Sequence, residues 1–131
     1  MLQKMTYKFE DVKAWQLAHE YVLAVYRSTR HFPDDEKFGL TSQFRRAAIS
    51  IEANIAEGYK KLSQKDKLRF YNISQGSIEE CRDYIILSRD LEYISSNEFI
   101  ELHDKLESAS KCLMSYCEAI IKKAVIDDGI V

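Results

Sequence analysis

Apolar residues recur at intervals of three and four along most of the chain, which is the spacing of one buried face of an α-helix. The clearest such stripe lies near the C-terminus and consists of Phe99, Leu102, Leu106, Ala109, Leu113, Tyr116 and Ile120. The 131 residues include only four glycines and one proline, so the chain has few places to turn. This pattern predicts an all-α protein, an antiparallel up-and-down four-helix bundle, as a single domain over residues 1–131.

Three short polar segments separate the predicted helices. In the first, Pro33 precedes acidic residues, and both suit the start of a helix. In the second, Ser63 can cap the next helix, with Asp66 three residues later. In the third, Ser96 or Asn97 can cap the last helix. The predicted helices cover about residues 9–31, 35–61, 64–94 and 97–124, and the tail over residues 127–131 is expected to fray.

Two of these helices carry more apolar surface than one packing face requires. The first helix has two stripes, Val12, Trp15, Val22 and Thr29, and Ala14, Leu17, Tyr21 and Ala24. The third helix has a second stripe of Ile73, Tyr84, Leu87 and Leu91. Such an excess favours self-association, the alternative being a tightly wrapped monomer. Gly76-Ser77, in the middle of the third helix, is predicted to be a helix crossing or a subunit contact.

The second helix has a polar stripe between apolar flanks. The stripe consists of Gln43, Arg46, Ser50, Asn54 and Glu57. Because apolar residues lie on both sides, we expect these side chains to be at least partly buried and therefore hydrogen-bonded. Glu80 of the third helix is the predicted partner of Arg46. The stripe and Glu80 are predicted to form a structural polar network that fixes register and oligomeric state.

The same stripe has two alternative interpretations, a ligand pocket and a hydrolase site built on Ser50. A nucleophilic serine needs a general base, usually a histidine, within hydrogen-bonding reach. The three histidines, His19, His31 and His103, all lie off the stripe. The sequence therefore predicts no catalytic residues and no enzyme.

Charge is nearly balanced, with a formal net charge of −2, so the whole chain does not attract nucleic acid. Basic residues nevertheless crowd the connection between the second and third helices, namely Lys60, Lys61, Lys65, Lys67 and Arg69. Lys122 and Lys123 are expected at the same end of the bundle. This connection is either an ordinary solvated segment or a binding surface for RNA or DNA, which a ring of subunits would repeat around one face.

The three cysteines, Cys81, Cys112 and Cys117, lie within helical patterns and have neither a CxxC motif nor a histidine pair beside them. They are predicted to be buried apolar residues in a reducing compartment, with no metal site and no cofactor. The N-terminus lacks the apolar core of a signal peptide, and no apolar run is long enough to span a membrane. We therefore expect a cytoplasmic protein without membrane contact.

Several segments together resemble a bacterial four-helix-bundle family first met as proteins encoded within intervening sequences of 23S rRNA genes. The matching segments are Phe9–Ala18, Phe32–Leu40, Gln43–Ile51, Asn54–Gly58 and Gly76–Glu80. The resemblance implies an up-and-down bundle that assembles into a homopentameric ring. It also implies similarity to the accessory variability protein of diversity-generating retroelements, which is basic, binds nucleic acid and partners a reverse transcriptase.

From the residues and this resemblance together, the chain is predicted to be a non-enzymatic interaction module whose partner is itself, in a homopentamer. The alternative is an RNA- or DNA-binding accessory protein that uses the basic connection. The sequence does not identify a protein partner other than the chain itself.

Overall fold

The structure, a computed structural model, describes residues 8–128, and the described chain contains four long helices and no strand. The helices are α1 (Lys13–Thr29), α2 (Leu40–Lys60), α3 (Gln64–Asp90) and α4 (Ser96–Asp128), with short 3₁₀ turns at Phe9–Asp11 and Asp34–Glu36. Each helix packs against two others, α1 and α3 both contacting α2 and α4. This arrangement confirms the predicted all-α four-helix bundle.

The predicted domain also includes residues 1–7 and 129–131, which lie outside the described residues. The predicted fraying of the tail falls partly on the same residues. Helix α4 itself continues to Asp128 rather than ending near residue 124.

The core is built from apolar side chains of all four helices. Its largest fully buried side chains include Tyr21, Phe44, Ile51, Tyr71, Ile78, Leu102, Leu106 and Leu113. Burying one such side chain contributes about 1.5–3 kcal/mol to the hydrophobic stabilisation. Within the predicted stripe of α4, Tyr116 is the exception, since it is exposed and its ring packs edge-on against Tyr71 with centroids 5.5 Å apart.

The broad apolar arc of α1 is accommodated inside the chain. Val12 has an extended backbone (φ −75°, ψ 121°), so a 3₁₀ turn precedes it and α1 begins at Lys13. Tyr21, Val22 and Ala24 are buried because α1 packs on both α2 and α4. For α1, therefore, the wrapped-monomer alternative accounts for the excess apolar surface.

Helix α2 begins at Leu40 rather than near residue 35, because Gly39 has a non-helical backbone (φ −110°, ψ −116°). The acidic residues before it form the separate 3₁₀ turn. Glu36 Oε1 accepts a hydrogen bond from the Leu40 backbone N–H at 3.1 Å, and Glu36 Oε2 accepts one from the Tyr93 hydroxyl at 2.8 Å. A carboxylate at this position is favoured by the positive N-terminal end of the helix.

Helix α3 ends at Asp90 rather than near residue 94, because Glu92 adopts a left-handed backbone conformation with φ 63°. The Glu92 N–H donates to the Arg89 carbonyl and the Tyr93 N–H donates to the Ser88 carbonyl, both at 2.9 Å. These two bonds form a Schellman motif, which stops the helix sharply.

Helix α4 is capped by Ser95, one residue before the predicted Ser96 or Asn97. Ser95 Oγ accepts a hydrogen bond from the Glu98 N–H at 3.1 Å, and Glu98 Oε1 accepts one from the Ser95 N–H at 2.9 Å. The two residues therefore form a reciprocal capping box.

Candidate functional site

Helices α2 and α3 approach each other closely along small side chains. A Cβ atom at Gly58 would lie 2.6 Å from Cε1 of Tyr71, so only glycine fits this position without movement. Farther along, buried Ser74 donates a hydrogen bond from Oγ to the Ile51 carbonyl at 2.9 Å. No role was predicted for Gly58 or Ser74 from the sequence, although Ser50, Asn54 and Gly58 recur at intervals of four.

A cluster of three polar residues joins α2 to α3 beside this contact. Ser77 Oγ donates to Ser50 Oγ at 2.8 Å. Asn54 Nδ2 donates to Ser50 Oγ at 3.1 Å and to the Ser50 carbonyl at 2.8 Å. The structure therefore brings together two members of the predicted polar network and adds Ser77, which was predicted to lie at a helix crossing or a subunit contact.

The remaining members of the predicted network are exposed, contrary to the expected burial: Gln43, Arg46, Glu57 and Glu80. Among the described residues, no hydrogen bond or ion pair joins Arg46 to Glu80, and Glu80 instead accepts a hydrogen bond from the Tyr84 hydroxyl at 3.4 Å. The stripe is not buried because Ile49 and Ala53, on its far side, are themselves exposed. None of the four described helices covers that side of α2.

The geometry around Ser50 does not match a nucleophile with its base. His19 Nδ1 lies 3.1 Å from a Glu52 carboxylate oxygen, and His31 Nε2 lies 3.3 Å from Glu98. His103 contacts Asp104. In the described part of the chain, no histidine contacts Ser50.

Most of the second apolar stripe of α3 stays at the surface, whereas its Tyr84 is partly buried and packs against Phe44. We define the α3 outer face by Ile73, Gly76, Glu80, Leu87 and Leu91. The side chains of Ile73, Leu87 and Leu91 are 44%, 41% and 44% exposed. A Cβ atom at Gly76 would meet nothing within 4 Å, so Gly76 does not lie at a helix crossing within the chain. The alternative, a subunit contact at Gly76, stays a prediction.

The basic connection contains one lysine with a structural role. Ser63 Oγ accepts a hydrogen bond from the Asp66 N–H at 3.1 Å, which confirms the predicted cap of α3. Lys67 Nζ donates to the carbonyls of Gly58 at 3.3 Å and Tyr59 at 2.5 Å, so it caps the end of α2. Partial burial lowers the pKa of Lys67. These contacts make Lys67 a structural residue rather than an available phosphate ligand.

The other cations of the connection are more accessible. Lys61 Nζ and the Arg69 guanidinium lie 4.8 Å and 4.9 Å from the centroid of the Phe70 ring, and Lys60 and Lys65 are exposed. A cavity of about 270 Å³ is lined by residues of both α3 and α4, including Lys67 and Lys123. This cavity confirms that the basic connection and the end of α4 share one pole of the bundle.

The three cysteines are free thiols packed within the helices, Cys81 and Cys117 being buried and Cys112 partly buried. Burial raises the pKa of Cys81 to about 12 and raises the pKa of Cys112 and Cys117 as well. The unreactive thiol is therefore the favoured form of each. Among the described helices, none combines the length and apolar character needed to cross a bilayer.

A family model described as 23S rRNA-intervening sequence protein matches residues 10–115. The chain is also similar to a crystal structure of a protein of unknown function from the S23 ribosomal protein family of Bacteroides thetaiotaomicron VPI-5482. The TM-score is 0.73 at 21% sequence identity, over 80% of this chain and 95% of that chain. At that identity, the likeness shows a shared fold. No curated protein matches this chain.

Proposed function

The chain belongs to the 23S rRNA-intervening sequence protein family, and on that premise we propose that it is a non-enzymatic, homo-oligomeric interaction module. Its subunits would associate through the α3 outer face. The observation that carries this proposal is the exposed apolar stripe of α3 around an open glycine. The cytoplasm is the proposed location, because a reducing compartment keeps buried cysteines such as Cys81 as free thiols.

The α3 outer face has the properties of a helix-packing surface. Ile73 and Leu91 are separated by about 27 Å along the helix axis, so the stripe is long enough for an extended helix contact. A glycine in an exposed helix interior costs about 1 kcal/mol relative to alanine. Gly76 carries that cost without any packing contact in its own chain. A second helix approaching over Gly76 would explain both the glycine and the exposed leucines.

The polar cluster supports the same proposal from within the subunit. Ser50, Asn54 and Ser77 hold α2 and α3 in a fixed relative position, which would keep the α3 outer face aligned. Five copies is the expected assembly size, since the family resemblance implies a pentamer.

The proposal is tested by measuring solution mass with light scattering on a sizing column. We expect the wild type to elute as an oligomer and Leu87→Asp to elute as a monomer with unchanged helical circular dichroism, because a buried unpaired carboxylate is strongly unfavourable. Leu23→Asp is the matched control, since Leu23 is a similarly exposed leucine on α1. A monomeric wild type, or equal masses for wild type and Leu87→Asp, would contradict the proposal.

A second candidate function is RNA or DNA binding at the basic connection. Support comes from Lys61 and Arg69, which lie 4.8 Å and 4.9 Å from the centroid of the Phe70 ring, because cations beside an aromatic ring suit a nucleic-acid backbone and its bases. Fluorescence anisotropy with structured RNA, single strands and duplexes would show binding that weakens with added salt. The combined substitution of Lys60, Lys61, Lys65 and Arg69 by glutamine should abolish the binding, with Lys67 kept to preserve the cap. Failure to bind any of these nucleic acids at low salt would dismiss this candidate.

A further inference from the structure

A cavity of about 480 Å³ lies outside the bundle core, between α1 and the first turns of α2. Its volume falls within the range of about 300–1,000 Å³ that small-molecule sites occupy. The cavity lies near the beginning of α2, whereas the basic connection follows the end of α2. It is therefore separate from the basic connection.

The walls of the cavity carry positive charge, and the acidic residue Asp34 lines only a neighbouring cavity that shares Lys37, Thr41 and Arg45 with it. Lys37, Arg45 and Arg46 line it, and none of its lining residues is acidic. This is unusual in a chain of net charge −2. By contrast, Arg27, Arg82 and Arg89 each pair with a carboxylate; Arg82, for example, lies 2.7 Å from Glu107. Three cations gathered around one cavity favour an anionic ligand.

Arg45 is already fixed in position by contacts with uncharged partners. Its Nε donates a hydrogen bond to Thr29 Oγ1 at 2.8 Å, and its guanidinium carbon lies 4.5 Å from the centroid of the Tyr26 ring. Within residues 8–128, no hydrogen bond from the terminal N–H groups of this guanidinium is found. A planar guanidinium held in this way is suited to bidentate binding of a phosphate group.

Thr41 adds a buried polar group to the same cavity. Its residue is only 8% exposed, and no hydrogen bond of its hydroxyl is found among the described contacts. The backbone ladder of α2 starts at the Gln43 N–H, and the Leu40 N–H is taken by Glu36. The N–H groups of Thr41 and Ser42 therefore have no partner within the helix. An anion at the start of α2 would satisfy these donors.

Phe38 supplies an apolar surface beside the cations. Its side chain is 89% exposed, and Lys37 Nζ lies 5.5 Å from the centroid of its ring. Ile49, 42% exposed, lines the same cavity. An exposed aromatic ring beside unneutralised cations suits a ligand with a flat ring and a phosphate, because the ring stacks while the phosphate meets the cations.

From these contacts we propose that the cavity binds a nucleotide. The phosphate lies against Arg45, Lys37 and the Thr41 hydroxyl, and the base stacks on Phe38. The ligand is either a free mononucleotide or the phosphorylated end of a nucleic-acid strand, since both present the same chemistry.

The test is isothermal titration of the full chain at low salt with adenosine 5′-monophosphate, adenosine and inorganic phosphate as separate probes. We expect saturable binding of the monophosphate at one site per chain. Adenosine and inorganic phosphate should each bind at least about ten-fold more weakly than the monophosphate. Absence of saturable binding up to millimolar monophosphate would overturn the proposal.

Variants of exposed residues assign the binding to this cavity without endangering the fold. Lys37→Gln should weaken binding of the monophosphate about ten-fold, and Phe38→Ala should weaken the monophosphate but leave inorganic phosphate unchanged. Lys111→Gln, an equally conservative change of an exposed lysine on α4, is the matched control and should have no effect. Unchanged affinity in both Lys37→Gln and Phe38→Ala, or loss of binding in Lys111→Gln, would overturn the proposal.

Competition distinguishes the two sources of the ligand. A short 5′-phosphorylated oligonucleotide that displaces the monophosphate at equal or lower concentration would identify a strand end. Displacement of the monophosphate by this oligonucleotide only at much higher concentration would identify a free mononucleotide as the ligand. A 5′-hydroxyl oligonucleotide that competes equally well would overturn the phosphate assignment.

Discussion

At the scale of single residues, Glu92 occupies a backbone conformation that residues other than glycine rarely adopt. Its φ of 63° lies in the left-handed region, which costs a residue with a Cβ atom about 1–2 kcal/mol. The Schellman bonds at the end of α3 hold it there. Glycine is the residue that usually occupies this position.

We therefore expect Glu92→Gly to raise the free energy of unfolding by about 1 kcal/mol. The free energy of unfolding is measured by urea denaturation, with circular dichroism at 222 nm as the signal. Glu92→Ala is the matched control, since it removes the carboxylate but keeps the Cβ atom, and it should give no comparable gain. Equal stabilisation by both variants would attribute the effect to charge rather than to the backbone.

The Arg82–Glu107 pair gives stability a defined pH dependence. Arg82 donates from Nε to Glu107 Oε2 at 2.7 Å and from a terminal nitrogen to Oε1 at 2.9 Å, which lowers the pKa of Glu107. Because the folded chain favours the carboxylate, this contribution is present above the ordinary glutamate pKa. It is lost as pH falls through the lowered value.

Glu107→Gln should accordingly destabilise the protein at pH 7 by a few tenths to about 1 kcal/mol, given that the pair is partly exposed. As pH falls through the lowered pKa of Glu107, wild type and variant should converge, because the carboxyl group of the wild type becomes protonated. Urea titrations at a series of pH values measure the difference. Glu101→Gln, in the more exposed pair with Arg27, is the control and should change stability less. A difference that persists unchanged at low pH would refute this account.

At the scale of elements, the α2–α3 contact depends on Gly58, whereas α3 does not depend on Gly76 for its own packing. A Cβ atom would lie 2.6 Å from a Tyr71 ring atom at Gly58 and would meet nothing at Gly76. The same substitution should therefore have opposite effects at the two positions.

Gly58→Ala should lower the free energy of unfolding by about 1–3 kcal/mol through overpacking against Tyr71. Gly76→Ala should raise the intrinsic stability of the folded chain by up to about 1 kcal/mol, through helix propensity. Chemical denaturation, at protein concentrations low enough to keep the subunits dissociated, measures the free energy of unfolding of both variants. Comparable destabilisation by the two variants would mean that Gly76 is not open in the free chain.

The sequence predicted the existence of the elements better than their ends. Apolar periodicity was sufficient for four helices, since it depends only on which residues are apolar. The limits of α2 and α3 were missed because the backbone angles of Gly39 and Glu92 are set by contacts such as that of Tyr93 with Glu36.

Only part of the candidate site was predictable, because periodicity shows which residues share a helix face but not which residues of another helix they contact. Ser50 and Asn54 were found because they share one helix face with a hydrophobic border. The bond of Ser77 to Ser50 and the close contact at Gly58 were not predicted, because their partners lie on another helix. The expected burial of Arg46 failed because single-chain periodicity cannot show whether a further helix covers the outer side of α2.

At the scale of the whole molecule, the two helices with excess apolar surface behave differently. Helix α1 buries its arc between two neighbours, whereas Ile73, Leu87 and Leu91 of α3 remain about two-fifths exposed. If the α3 outer face joins subunits, stability must depend on protein concentration, because association favours the folded state by mass action.

The melting temperature of the wild type should therefore rise with protein concentration, and that of Leu87→Asp should not. Differential scanning calorimetry over a hundred-fold concentration range measures both. Leu23→Asp, altered on α1, should keep the concentration dependence of the wild type. A wild-type melting temperature independent of concentration would contradict subunit contact through this face.

The bonds from Lys67 to the last carbonyls of α2 have a consequence for the order of folding. They link residues only eight and nine positions apart, so α2 and α3 can form a helical hairpin through local contacts. The contact between α1 and α4 instead joins distant parts of the chain, as in Arg27 and Glu101, which are 74 positions apart. Closing that larger loop costs more chain entropy. The hairpin should thus form first, and the α3 outer face would be complete and open to a second copy before the ends of the chain meet.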